Sequence, residues 1–150
     1  MVSLIKIKKA IALTIENAIV GTEFNNVQIL TNDVRKNIIR PSIQILLDKS
    51  SFGKFNSKNT ERECKFEIYF FVENEYKYSK DNQKMQQILE NAFLDDLKIE
   101  EGFFIPIDSI ECETSDTVLV CRISLYMIEL LPDTDTSEPM EEIIYKEGIK

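Results

Sequence analysis

Apolar residues recur along this chain in two rhythms, one helical and one alternating. Between Ser3 and Val20, Leu4, Ile7, Ile11, Ile15, Ala18 and Ile19 fall near the spacing that lines one side of a helix. Ser3 offers a capping hydroxyl and Gly21 stands just past the end, so the pattern predicts a helix over 3–20. Lys6, Lys8 and Lys9 in its first half read as the solvated side of that helix.

The alternating rhythm follows. Val27–Thr31 is a short strand candidate, the polar stretch Asn32–Lys36 connects, and a second strand starts at Pro41, with Ile43, Ile45 and Leu47 on one side against Ser42, Gln44 and Asp48. Ser50–Asn59 reads by composition as a long interior loop carrying Phe52 and Phe55. Glu61–Val72 alternates most cleanly: Cys64, Phe66, Ile68, Phe70 and Val72 form a core face, and Glu63, Lys65, Glu67, Tyr69 and Phe71 the other. That second face turns aromatic at Tyr69 and Phe71, which suggests a cover other than water.

Met85, Ile88, Leu89, Ala92, Phe93 and Leu97 predict a second amphipathic helix from about Ser79 to Leu97. Phe103–Glu113 and Thr117–Leu131 then predict two strands joined through Thr114-Ser-Asp116. Helix, three strands, helix and two strands make an α+β (mixed α/β) domain over residues 1–131. Its expected architecture is an antiparallel or mixed sheet of about five strands with two helices on one face. The opposite face is expected to be open, exposing Tyr69 and Phe71 with some of Tyr126, Ile128 and Leu130, for which a partner subunit is the simplest cover and a loop or the tail folding back the alternative. Residues 132–150 are left over. They form an acidic segment with an apolar hook, Met140-Glu-Glu-Ile-Ile-Tyr145, which reads as an extended C-terminal arm for a neighbour.

Composition narrows the chemistry. The 150 residues suit one domain, and 43% hydrophobic with 29% charged residues are ordinary values for a soluble globular protein. A net charge of -8 opposes sequence-independent binding to phosphate backbones. Lysines interrupt the apolar amino terminus, which argues against a signal peptide or membrane span and for a cytosolic site of synthesis. The three cysteines, Cys64, Cys112 and Cys121, cannot close a disulfide framework as an odd set and read as reduced core or near-core thiols.

The chain has no histidine, which removes the usual general base, the Ser-His and Cys-His nucleophile pairs and the commonest metal ligand. The cysteines lack zinc-site spacing, and the four glycines form no phosphate-cradling loop. Asp95-Asp96, Glu100-Glu101 and the tail acids Asp133, Asp135, Glu138, Glu141 and Glu142 read as solvated surface. No catalytic residue, metal site or cofactor is assigned.

With the helix Leu4–Val20, the strand pair around Val27–Leu30 and Pro41–Leu46, and the charged-aromatic strand Phe66–Phe70, the chain resembles the tail terminator proteins of phages. Lys84–Asn91, the closing strand Val118–Leu131 and the ending Met140–Lys150 complete the resemblance. The family it resembles is that of contractile-tailed phages, or phage-tail-like bacteriocins, of Gram-positive bacteria. The resemblance implies a virion structural protein, made in the host bacterial cytoplasm and residing at the head-proximal end of the tail. Such a subunit would form a homohexameric ring that stops tail-tube polymerisation, meets the sheath and presents a surface for head or neck connector proteins. DNA would pass through its lumen unbound, a task that an acidic chain suits.

Such a role needs complementary surfaces rather than a reactive centre. Met140, Ile143, Ile144 and Tyr145 are the expected anchors of the arm, with Glu141 and Glu142 setting its charge complementarity. Phe52 and Phe55 are a second candidate contact, with the tube, against the alternative that their loop folds back on its own domain. A head-tail stopper of the same particle fits nearly as well. From a different class, a small acidic immunity or antitoxin protein also fits, and an enzyme would require turnover dependent on carboxylates such as Asp95 or Glu100.

Overall fold

The computed structural model describes residues 2–31 and 38–131; the Asn32–Lys36 connection and the whole of the expected arm, 132–150, lie outside the described residues. In chain order the elements are α1 (Leu4–Ile19), β1 (Gln28–Leu30), β2 (Ser42–Lys54), β3 (Asn59–Phe71) and α2 (Ser79–Ala92). After them come β4 (Leu97–Glu100), β5 (Phe103–Ile105), β6 (Ile107–Ser115) and β7 (Val118–Leu130). A five-stranded sheet runs β1-β2-β3-β7-β6, and β4 and β5 form a separate two-stranded sheet. β1 lies parallel to β2 and the other neighbours are antiparallel, so the sheet is mixed.

The helix starts where its sequence says. The Ser3 hydroxyl accepts from the Lys6 main-chain N–H at 3.1 Å, satisfying a donor that the first turn leaves without a partner. Ile7, Ile11, Ile15 and Ile19 form the buried stripe of α1, and Met85 and Leu89 that of α2. Both stripes meet one face of the sheet: Cys64, Phe66, Ile68 and Phe70 of β3, flanked by Ile43 and Ile45 of β2 and by Leu119, Cys121, Ile123 and Leu125 of β7. Each of these large apolar side chains contributes about 1.5–3 kcal/mol on burial, which fixes the register, because a slip by one residue would turn the whole set outward.

Four expectations are corrected. Ser50–Asn59 is not a loop, since β2 continues to Lys54 and β3 begins at Asn59, leaving residues 55–58 as the turn. Every residue of β2 from Leu47 to Lys54 is exposed, so both faces of this stretch are solvated. Its composition is therefore as polar as a loop's although its ladder is continuous. Leu47 lies opposite Phe66, on the side of Ile43 and Ile45 as expected, but is exposed where the exposed stretch of β2 begins.

The second helix stops at Ala92, five residues short of Leu97, which opens β4. The main-chain N–H of Phe93 donates to the Leu89 carbonyl oxygen at 3.0 Å as the last turn closes. Asp95 and Asp96 follow, and negative charge is unfavourable at the negative end of the helix dipole.

The run Phe103–Glu113 is two strands, because Pro106 has no N–H to give to a ladder. β5 pairs with β4 and β6 with β7. The β6–β7 connection is a two-residue turn, Asp116-Thr117, rather than Thr114–Asp116. Both residues have positive φ, 48° and 69°, the conformation that the right-handed twist of a tight hairpin requires.

Ser42 and Gln44 point away from the helices, as expected, yet are buried. Arg40 spans this corner: its guanidinium lies 6.0 Å from the centre of the Phe71 ring and donates to the Val72 carbonyl oxygen at 2.9 Å.

Candidate docking surface

The sheet face opposite the helices has a charged middle and an apolar end. In the middle, Arg122 of β7 donates through Nε to Glu67 Oε2 at 3.0 Å and through Nη1 to Glu113 Oε2 at 2.7 Å, tying β3, β7 and β6 together across the sheet. The Tyr69 hydroxyl donates to the other oxygen of Glu67 at 2.8 Å. That bond, together with partial burial and the charge of Glu67, raises the Tyr69 pKa. Tyr69 and Phe71 meet edge to face at 6.3 Å and are half-buried, so the aromatic part of this face is partly covered within its own domain.

Towards the hairpin tip the face is apolar and open. Tyr126, Ile128 and Leu130 alternate along the end of β7, all exposed and Leu130 at 75%. The Tyr126 hydroxyl donates to Glu61 Oε1 at 2.6 Å, a contact that raises the phenol's pKa and leaves its ring to extend the Ile128–Leu130 stripe. No β6 residue pairs with β7 beyond Leu125, and no β1 residue pairs with β2 beyond Gln44, so among the described residues both edges of the β2-β3-β7 tip are unpaired. Unpaired edges beside an exposed apolar stripe are a template for another chain.

Phe52 and Phe55 belong to the same end of the molecule. Phe52 sits on β2, on the opposite side of the sheet from Ile128, and the Arg62 guanidinium stacks 4.6 Å from its ring centre while donating to the Ser50 hydroxyl at 2.8 Å. Phe55 opens the turn, which the Asn56 side chain closes by accepting from the main-chain N–H groups of Lys58 and Asn59, each at 2.8 Å. Both rings are exposed, so neither folds back into the core. Arg62, Asn56 and Lys58 were not singled out by the sequence; the turn-forming run Asn56-Ser-Lys-Asn59 was the available signal for Asn56 and Lys58, and Arg62 had none.

The end of β7 converges on the same tip. Asn59 pairs with Leu130, and the Leu131 main-chain N–H donates to the Lys58 carbonyl oxygen at 2.8 Å. Met140, Glu141, Glu142, Ile143, Ile144 and Tyr145 lie outside the described residues.

The acidic groups weighed for chemistry are dispersed. Glu100 pairs with Lys6 and Glu101 with Lys98, both at the surface, and Asp95 and Asp96 are exposed. Among the described residues no group of histidine, cysteine or carboxylate side chains gathers as metal ligands, and no helix is long and apolar enough to cross a membrane.

The fold is an α+β domain with a helix-covered core and an exposed apolar stripe at one end of its sheet. The family model for phage tail terminator proteins matches residues 6–137, from α1 through β7, and the chain belongs to that family. It is thus a phage tail protein with a structural role. No curated protein matches it.

Proposed function

We propose that this chain is the subunit of a homohexameric ring that caps the head-proximal end of the tail tube, halts its polymerisation and offers the docking surface for neck or connector proteins. In a contractile tail, or a phage-tail-like bacteriocin of a Gram-positive host, the same ring would meet the last sheath ring. The observation that carries the reading is the family match over residues 6–137. The apolar, edge-exposed hairpin tip supports it by offering a place for a neighbour.

Residues 132–150 act in this reading as an arm that starts at the tip. Met140, Ile143, Ile144 and Tyr145 anchor it on an adjacent subunit, sheath or connector, and Glu141 and Glu142 set its charge complementarity. The family match ends at residue 137, so these anchors are proposed from their apolar-acidic pattern alone. Phe52, Phe55 and Leu130 form the contact at the root of the arm. DNA passes through the lumen of the ring, and the acidic chain repels its phosphates.

Removing the gene from the particle's own operon tests this. Tails assembled without the chain are expected to vary in length, with tubes overrunning the sheath. Tails of normal, uniform length that fail only to join heads would overturn the terminator reading in favour of a head-tail stopper.

A further inference from the structure

Cys112 on β6 and Cys121 on β7 are direct partners across an antiparallel ladder that is regular from the turn to this pair. The two-residue turn closes at Ser115 opposite Val118, and a turn of this length makes that first pair the hydrogen-bonded one. Pairs then alternate: Thr114–Leu119 lacks main-chain bonds, Glu113–Val120 has them, and Cys112–Cys121 lacks them again. Pairs of this second kind bring their Cα atoms to about 4.5 Å, inside the range that a disulfide spans.

The register sets the two thiols side by side on one face of the sheet. Hydrogen bonding between them favours the thiolate of Cys112 and lowers its pKa, while the same interaction and burial raise that of Cys121. Cys112 is half-exposed on the outermost strand of the sheet, whereas Cys121 is fully buried opposite Ile68. Cys64, the third thiol, is buried on β3 opposite Leu125 and pairs with neither.

We propose that Cys112 and Cys121 are a disulfide-forming pair, closed by exchange with a low-molecular-weight disulfide such as oxidised glutathione, which fastens the outermost strand β6 to β7. The thiolate of Cys112 attacks one sulfur of the small disulfide, breaking its S–S bond, forming a mixed disulfide and releasing one small thiolate. The sulfur of Cys121 then attacks Cys112 Sγ and expels the second small thiolate, which carries away the Cys121 proton. Two protein thiols are oxidised and one small disulfide is reduced to two thiols. Cys112 is the attacking group because it is reachable and more acidic; Cys121 resolves from within the sheet.

The test uses the full-length chain incubated with oxidised glutathione, then denatured and alkylated for mass spectrometry. The alkylatable thiols are expected to fall from three to one, Cys64, with the intact mass lower by two hydrogens and the change reversed by dithiothreitol. Cleavage after glutamate separates Cys112-Glu113 from the peptide beginning at Thr114, so the two peptides should remain joined until reduced. Cys121→Ser should instead trap glutathione on Cys112. Three thiols remaining after oxidation, a bond involving Cys64, or a bond between two chains would overturn the proposal.

Discussion

The Leu131 main-chain N–H donates to the Lys58 carbonyl oxygen at 2.8 Å, so the end of the closing strand is fastened to the tip of the β2–β3 hairpin. The relationship brings the last described residue, Leu131, beside the turn that carries Phe55. Among the described residues, the core of sheet and helices is assembled from residues before Leu131.

Deleting Pro132–Lys150 is therefore expected to leave the circular dichroism and the unfolding midpoint near those of the full chain, while docking to tail components is lost. An unfolded truncated chain would assign the segment to the core instead.

Ile128→Asp combined with Leu130→Asp tests the apolar stripe. Exposed positions tolerate such changes within about 0.5 kcal/mol, so the denaturation midpoint should barely move, whereas assembly on tail tubes should fail in electron micrographs. Normal assembly would remove the stripe from the interface.

Phe66→Ala empties a fully buried position on the central strand and should cost about 2–5 kcal/mol in urea unfolding. A cost near zero would mean that the two faces of β3 are reversed.

Thr117 holds φ at 69° in the tight turn, a conformation in which a β-branched residue is strained by roughly 1–3 kcal/mol. Thr117→Gly relieves that strain but frees the unfolded chain, so a net gain of about 1 kcal/mol is expected, with an unchanged denaturant slope. The Asn82 side chain donates to the main-chain oxygen of Thr117 at 3.1 Å, a contact the substitution keeps.

Tyr69 gives a pH signature. Its hydrogen bond to Glu67, then its partial burial and the Glu67 charge, raise its pKa above the ordinary 10.0, so the folded state holds the phenolic proton more tightly than the unfolded one. The stabilisation is complete below about pH 10 and is lost as pH rises through the folded-state value. Tyr69→Phe should make the fall in folding free energy shallower above pH 10, measured by denaturant unfolding across that range. Identical profiles would mean that the bond does not bias the proton.

The core was legible because burial imposes a period. The isoleucines of α1 and the Cys64–Val72 alternation on β3 needed only spacing to be placed, and Ser3 and Gly21 marked the helix ends. The hairpin tip was not legible, since Ser50, Ser51 and Gly53 are solvated on both faces and carry no period. Their strand character comes from pairing with β3, a non-local cause. The break at Pro106 and the helix stop before Asp95-Asp96 had local signals, but the apolar residues Leu97 and Phe103 masked them. The open face was foreseen from Tyr126, Ile128 and Leu130, while the burial of Ser42 and Gln44 on the same face is not encoded by periodicity.

The most direct test of the central claim is electron microscopy of the labelled, purified protein mixed with assembled tail tubes from the same particle. A terminator predicts label at one end of each tube, in a sixfold ring. Bare tube ends, together with a stable monomer or dimer in solution, would contradict it.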